Sequence, residues 1–507
     1  MLIIHPPLTK PCEPPAALAY LSAMLEAHNH PCTVIDMNIE GLHFLFDTAK
    51  PMDDTWSRRA FKGKEKNLSA LGSPEIYSNT DRYKRAVFDL NRLLENDGDK
   101  FDLQLSFSNY VDRRKSPLKS SDLKLAAQQY EGNIFFPYFK KRLPELINLH
   151  QPANIGFSLN YLSQALCTFA MIGFIKSQYP KIKIILGGGL ITTWLSNPGW
   201  RNPFSDLIDS YVSGKGEEPL LKLLGIRKTI EYVKPSYSEL LQNKYLSPGF
   251  ILPYTTSSGC FWKKCNFCPE KTENSPYSHV PPATTVHDLK SLTRETSPSL
   301  IHFLDNAISP GSLKALTINP PGVPWYGFAR IEPPLTDRQF CVSLKNSGCT
   351  MLKLGLESGS QNVLDRMEKG IDLQMVSEVL ENLHTAGIAT YVYLLFGTPA
   401  ETYKEARQTL AFVEKHHKRI SFLNLAIFNL PICSVETSLL EISEFYDGDL
   451  SIYRNFIHPG GWNRREVRHF LDTTFKRSQE IAAILRNDPP FFTSNHAPFF
   501  STTIPDN

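Results

Sequence analysis

Cys260, Cys265 and Cys268 stand close together in one stretch that opens on Gly259. Three thiolates in a single short loop can hold three irons of a cubane cluster and leave the fourth iron open to a small molecule. With His279 the same sulfurs also match the ligand set of a tetrahedral, purely structural zinc site. An open iron vertex can do redox chemistry, whereas a zinc site only staples a loop. The other six cysteines (Cys12, Cys32, Cys167, Cys341, Cys349 and Cys433) are scattered singly. They read as reduced core thiols, not as a disulfide framework.

Positioning such a loop takes a rigid scaffold, and 507 residues at 42% hydrophobic and 21% charged are enough for two or three domains with real cores. Lys and Arg total 54 against 51 Asp and Glu, a formal charge of +3. No bulk electrostatic term therefore argues for a nucleic-acid partner or an anionic membrane. The first residues lack a basic leader, and no later run approaches the roughly 18 apolar residues of a membrane span. A cytoplasmic protein is expected.

Residues 1–226 read as one interrupted α/β domain. Leu2 to Ile4 and Thr33 to Ile35 are short strands around a helical stretch from Ala16 to His28. From about 47 to 151 the alternation gives way to a polar insertion with helical patches at Arg82 to Leu94 and Phe136 to Leu149. It then resumes with a strand ending at Ser158, a helix from Leu162 to Gln178, and a strand running into Gly187, Gly188 and Gly189. Residues 227–249 read as a linker. From 250 to 435 six further strand and helix units predict a parallel, partly closed (β/α)6 barrel. Residues 436–507 form a tail with one helix near Arg464 to Asn487 and an aromatic run, Phe491 to Phe500. That run reads either as a cap on the barrel mouth or as a hydrophobic plug.

A strand leading into Gly-Cys, followed by close cysteines with Phe267 just before the last, resembles the radical SAM superfamily. The resemblance implies that Cys260, Cys265 and Cys268 ligate a [4Fe-4S] cluster. It also implies that S-adenosylmethionine chelates the open iron and is cleaved reductively to a 5′-deoxyadenosyl radical, with an electron donor such as flavodoxin or ferredoxin. Four residues, Phe261 to Lys264, separate the first two cysteines where three are typical of the family. The resemblance continues downstream. Asp305 and Asn306 occupy the place where the family binds the cofactor's amino group, although the familiar Gly-Gly-Glu is missing. Arg330 closes a third strand near the barrel mouth, and Glu357 would lie near the ribose or methionine end. Gly397 begins the segment that passes the adenine, and Phe267 lies beside the same cofactor. From the residues alone, Asp305 and Asn306 also fit a strand-ending turn, Arg330 an ion pair, and Gly397 a tight turn. Glu357, inside an apolar strand where an unpaired carboxylate is costly, reads as functional.

A Rossmann-like domain in front of such a barrel resembles the cobalamin-binding class of these enzymes. There Ser158, Gly187 and Gly188 would line the pocket for the nucleotide tail. The family's cobalt-binding histidine loop has no match after the first strand. Asp36 to Gly41 is a look-alike with Asn38 in place of the histidine, so no histidine ligand to cobalt is expected. The implied function is a cobalamin-dependent methyl transfer to an unactivated centre. A radical enzyme without cobalamin and a zinc-stabilised binding protein are the alternatives. No general base, radical relay or substrate is legible.

Overall fold

The computed structural model describes residues 1–227, 232–273, 275–434, 439–443, 447–490 and 496–501. The chain divides into two compact units, one built mainly from Met1–Phe250 and one mainly from Ile251 onward.

In the first unit, five parallel strands lie in the spatial order Thr33–Asp36, Leu2–His5, Asn154–Ser158, Lys183–Gly187, Ser210–Val212. Counted along the chain this is the order 2-1-3-4-5, with the reversal between Leu2–His5 and Asn154–Ser158. Open α/β sheets bind ligands at that reversal, outside the carboxyl ends of the strands. The central strands are almost wholly apolar because both faces are covered. The helix Leu162–Gln178 is buried along most of its length. A Cβ on its Gly173 would stand 1.9 Å from the Ala127 carbonyl oxygen, so the helix Ser120–Gln128 packs backbone to backbone against it.

That helix belongs to the insertion, which is more ordered than its polarity predicts. It contains an antiparallel pair, Thr55–Leu71 and Thr80–Asp99, a hairpin of Leu103–Leu105 with Tyr110–Asp112, and the helix Phe136–His150. Neither Thr55–Leu71 nor Ser120–Gln128 was singled out from sequence. The helix Thr55–Leu71 buries only Ser57, Ala60 and Leu71, so its apolar signal is faint.

The expected linker is not free. Ser236 N–H donates to the Ala19 carbonyl, Val34 N–H on the edge strand donates to Glu239 at 2.7 Å, and Tyr245 donates to Asp36 at 3.0 Å. These contacts place residues 232–250 in the first unit. Asp36 also caps the helix Met37–Thr48 through the N–H groups of Asn38 and Ile39. The look-alike of a cobalt loop is therefore a helix start.

The second unit is built on six parallel strands in simple sequential order: Ile251–Tyr254, Leu300–Ile308, Trp325–Ala329, Cys349–Glu357, Ala389–Phe396 and Phe422–Ile427. All six match the strands read from sequence. The tail is not a separate body. Ala497 is fully buried in one cluster with Ile251, Leu300, Met351, Ala389 and Phe422, which lie at or near the amino-terminal starts of their strands. His496 packs between Tyr391 and Phe422, at ring distances of 4.5 and 4.4 Å. The described part of the aromatic run thus plugs the barrel's floor and not its mouth, and residues 491–495 lie outside the described residues. The single helix expected near Arg464 to Asn487 is two, Arg464–Thr473 and Gln479–Arg486. The break at Thr474 turns Phe475 into the core, 5.2 Å from the Phe396 ring. No helix among the described residues is long and apolar enough to cross a membrane.

Candidate functional site

The three cysteines lie in a loop tied at its base and along both flanks. Ser257 and Ser258 leave the first barrel strand and pair antiparallel with His279 and Ser278, closing the loop at its neck. Gly259 has φ +69°, and a Cβ there would come within 2.8 Å of the Pro276 carbonyl oxygen. Glycine before Cys260 is thus required by the turn and by the close approach of backbone. Asp305, buried near the end of the second strand, accepts three hydrogen bonds from the neck: Thr256 N–H at 2.9 Å, the Thr256 hydroxyl at 2.7 Å and the Ser257 hydroxyl at 2.6 Å. Its carboxylate holds the cysteine loop. Burial pushes its pKa up, and the same hydrogen bonds oppose that shift. Asn306, next along the strand, is exposed.

The extra residue between the first two cysteines has a physical account. Lys263 takes a left-handed backbone, φ +53°. Trp262 packs over Gly370, whose own φ is +64° and where any Cβ would fall 2.1 Å from the indole. The indole N–H donates to the Glu368 carbonyl at 3.1 Å, and the Arg330 guanidinium lies 3.9 Å from the ring centre. Arg330 in turn donates to the carbonyls of Lys369 and Gly370 and pairs with Glu332 at 3.3 Å. Arg330 therefore makes the ion pair that the residues alone allowed, and it also buttresses the loop.

The sulfurs sit among cations and N–H donors. Burial pushes the Cys265 thiol up, and Lys369 and Arg330 pull it back. Burial likewise raises Cys268, opposed by the backbone N–H groups of Glu270 and Lys271. Burial outweighs them in both, so the free sulfurs are held as thiols, and the cations and N–H groups only lower the cost of the thiolate form that binds metal. Among the described residues no three His, Cys, Asp or Glu side chains are gathered as ligands of a single ion. His279 is exposed, at the loop's neck, stacked on Tyr277. His279 is not gathered with the sulfurs as the fourth ligand of a zinc site; a cubane takes each thiolate on a separate iron and so spaces its sulfurs more widely than the ligands of one ion.

Around the loop the structure gathers most of the expected cofactor residues. Glu357 ends the fourth strand with φ +68° and pairs with Lys369 at 2.8 Å, both side chains largely buried. Lys369, missed at the level of sequence, is also 5.6 Å from the Phe267 ring centre. A cavity of about 210 Å³ opens beside Phe267, lined also by Met367, Thr398, Pro399, Ala400 and Pro459. Gly397, φ +75°, starts this turn, and Val467 would crowd a Cβ at 3.1 Å.

Glu401 closes the same turn and was not singled out from sequence. It is fully buried, accepting from Gly397 N–H at 2.6 Å and the Trp462 indole N–H at 2.9 Å. Burial pushes its carboxyl from 4.5 up to about 7, against those two hydrogen bonds and with Glu405 adding to the rise. The folded state thus favours the protonated acid. Its contribution to stability is fully present below about pH 4.5 and is lost as pH rises through about 7. Glu401→Gln removes that titration. The variant is expected to gain about 2–3 kcal/mol over the parent at pH 8, a gap that closes toward acid pH in thermal unfolding of the apoprotein. A gap independent of pH contradicts this.

In the first unit, the carboxyl ends of the sheet are tied together by polar contacts. Asn160 donates to Ser158 Oγ at 3.1 Å and accepts from Gly189 N–H at 2.9 Å, and Thr192 accepts from Gly214 N–H at 2.9 Å. Gly187 pairs with Ser158 on one side and Val212 on the other. Gly188, φ +114°, has no room for a Cβ, which would meet the Leu159 carbonyl oxygen at 2.3 Å. The glycines with open space are Gly189, where the nearest atom stands at 3.8 Å, and Gly214, where nothing lies within 4 Å. His5 is buried and held neutral, down to about 4, with Nε2 3.1 Å from the Thr9 hydroxyl. At this edge the backbone is open at Gly189 and Gly214, and His5 stays buried behind it.

Residues 254–413 match the Radical SAM superfamily. The chain is 26% identical over 200 residues to a protein of Pyrococcus horikoshii named uncharacterized methyltransferase PH0819, a match that covers 38% of this chain and 42% of that protein. The chain thus spans less than half the length of the curated relative it matches. In fold it resembles the radical S-adenosylmethionine methyltransferase TsrM of Kitasatospora setae, solved with tryptophan and a cofactor analogue. That likeness has a TM-score of 0.50 and 13% identity, over 85% of this chain and 73% of that one. The cobalamin-dependent S-adenosylmethionine radical enzyme OxsB aligns with a TM-score of 0.44 and 17% identity, over 54% of this chain and 45% of that one.

Proposed function

Because residues 254–413 are a radical SAM domain, we propose that this chain is a cobalamin-dependent radical SAM enzyme that transfers a methyl group to an unactivated carbon or phosphorus centre. The observation that carries the reading is the cysteine loop itself, three thiols at the carboxyl end of a parallel barrel, held by Asp305 and by the Arg330 and Trp262 stack. When bound, the [4Fe-4S] cluster supplies the electron that cleaves S-adenosylmethionine, and cobalamin supplies the cobalt centre for methyl transfer.

The chain's own residues do the rest. Cys260, Cys265 and Cys268 hold the cluster. Glu357 and Lys369 offer a paired anion and cation to the ribose and the zwitterionic methionine end. Phe267, Met367 and the Thr398–Ala400 backbone flank the adenine, while Asn306 stays available near the strand end. Asp305 and Arg330 are positioning residues. In the first unit, Ser158, Gly187 and Gly188 shape the crevice for cobalamin's nucleotide tail, and Gly189 and Gly214 let it approach the backbone. Methyl transfer is supported by the name of the Pyrococcus relative and by the fold shared with TsrM. The electron comes from a cytoplasmic flavodoxin or ferredoxin.

One observation favours a radical enzyme without cobalamin: Gly188 is required by Leu159 whether or not a ligand binds. Anaerobic reconstitution with hydroxocobalamin separates the two. The protein is expected to retain corrin absorbance through gel filtration and to form S-adenosylhomocysteine from S-adenosylmethionine only when cobalamin is present. An iron-loaded protein that emerges colourless in the corrin bands excludes the cobalamin reading and leaves the radical SAM domain intact.

A further inference from the structure

We propose that Glu401, Trp462 and His458 form a latch by which a segment beyond the barrel sets the nucleoside wall of the cofactor cavity; this rests on the S-adenosylmethionine reading above. The turn from Gly397 to Ala400 leaves the fifth barrel strand, Ala389–Phe396, and its residues Thr398, Pro399 and Ala400 wall the 210 Å³ cavity beside Phe267 and Met367. The turn is held by Arg366, which donates to the Ala400 carbonyl at 3.0 Å, and also from beyond the barrel. Glu401 Oε2 takes both the Gly397 N–H, at 2.6 Å, and the Trp462 indole N–H, at 2.9 Å. His458 Nε2 lies 2.8 Å from the Thr398 carbonyl.

The tautomer of His458 follows from its other nitrogen. Nδ1 accepts the N–H groups of Gly460 at 3.0 Å and Trp462 at 3.2 Å, so it carries no proton and Nε2 must be the donor to Thr398. Pro459, between His458 and Gly460, is itself a wall of the cavity. A stretch some sixty positions further along the chain therefore both grips the turn and lines the cavity that Phe267 lines.

Packing alone does not explain Glu401. The side chain is fully buried, and its Oε1 has no hydrogen-bond partner among the described residues. An orphaned buried carboxyl oxygen is destabilising; an apolar residue would avoid it but would strand the Gly397 and Trp462 N–H groups. What the carboxyl provides is one oxygen that joins Gly397 to Trp462 and so couples the height of the turn to the C-terminal segment. Since a single oxygen takes both bonds, glutamine can replace glutamate with its carbonyl in that place and its amide where Oε1 has no partner. The latch depends on an acceptor, not on charge.

The test is steady-state formation of 5′-deoxyadenosine by full-length, anaerobically reconstituted protein, with S-adenosylmethionine as the probe and iron content measured on each variant. Glu401→Ala and Trp462→Phe are expected to raise the KM for S-adenosylmethionine about tenfold, the size of losing a buried hydrogen-bond partner, with kcat and iron content near the parent's. Glu401→Gln is expected to keep the parental KM. Trp462→Phe preserves the ring's packing and carries the test if Glu401→Ala does not fold. A parental KM in Trp462→Phe overturns the latch, as does a Gln variant with the same KM increase as Ala. A parent protein that holds iron yet shows no affinity for S-adenosylmethionine overturns the cofactor reading, and the latch with it.

Discussion

Cys265→Ala is expected to abolish iron retention and 5′-deoxyadenosine formation together. Cys265 is the most buried of the three cysteines and lies against Lys369 and Arg330. With one thiolate gone, two sulfurs remain for three irons. The loss is expected to exceed the roughly 10–100-fold that follows removal of a group that only supports a ligand. Cys260→Ala and Cys268→Ala should behave alike, because each holds a different iron. Cys341→Ala serves as the control, since Cys341 is buried against the Leu335 carbonyl, on a helix, and belongs to the core. Iron and sulfide analysis with visible absorbance after anaerobic reconstitution reads the outcome. Loss of colour in the Cys341 variant, or its retention in the Cys265 variant, contradicts the assignment.

The second large effect is expected at Asp305. Replacing it with alanine strands the Thr256 N–H, the Thr256 hydroxyl and the Ser257 hydroxyl, all in buried residues at the neck of the cysteine loop. Each stranded donor costs about 1–3 kcal/mol, so a loss of about 3 kcal/mol or more is expected in unfolding of the apoprotein, with iron retention falling in parallel. Asp305→Asn keeps one acceptor oxygen and should fall between parent and alanine in both measurements. An alanine variant that loses S-adenosylmethionine binding while keeping parental stability and iron content would show that Asp305 touches the cofactor directly, as the family resemblance implied.

These two positions also mark what the sequence could and could not reveal. The cysteines were legible because thiolates at close spacing, with glycine before the first, have few structural uses. The six barrel strands were legible because each is a short apolar run between helical stretches, and all six appear as read. Asp305 was legible as a polar residue where the second strand was expected to end in a turn, although the strand runs on to Ile308. Its partners were not, because Thr256 and Ser257 lie some fifty positions away and only the parallel pairing of their strands brings them together. Glu357 and Lys369 lie close in the chain, yet the pair forms only because Glu357 turns left-handed at a register shift in the sheet. Trp262 explains the long spacer through Gly370 and Arg330, two contacts that no local pattern encodes.

Of the two readings of the tail, the described residues follow the plug and not the cap. Aromatic residues at the chain's end announced burial, and Ala497 and His496 are buried, but nothing local says which end of a barrel they close. The linker was misread for a similar reason. Its mixed polarity hid Glu239 and Tyr245, whose side chains serve an edge-strand N–H and the buried Asp36. Glycines were the least decisive signal. Gly188 looked like a ligand approach and is demanded by Leu159, whereas Gly189 and Gly214 keep the open space.

The open iron vertex is tested most directly by electron–nuclear double resonance on reduced, reconstituted protein with S-adenosylmethionine labelled at its amino nitrogen. A cluster held by Cys260, Cys265 and Cys268 alone must show hyperfine coupling to that nitrogen, and the coupling must vanish when unlabelled S-adenosylhomocysteine displaces it. A fully loaded cluster that shows no coupling at saturating labelled cofactor would mean that its fourth iron is already occupied, and the proposed chemistry would have no place to begin.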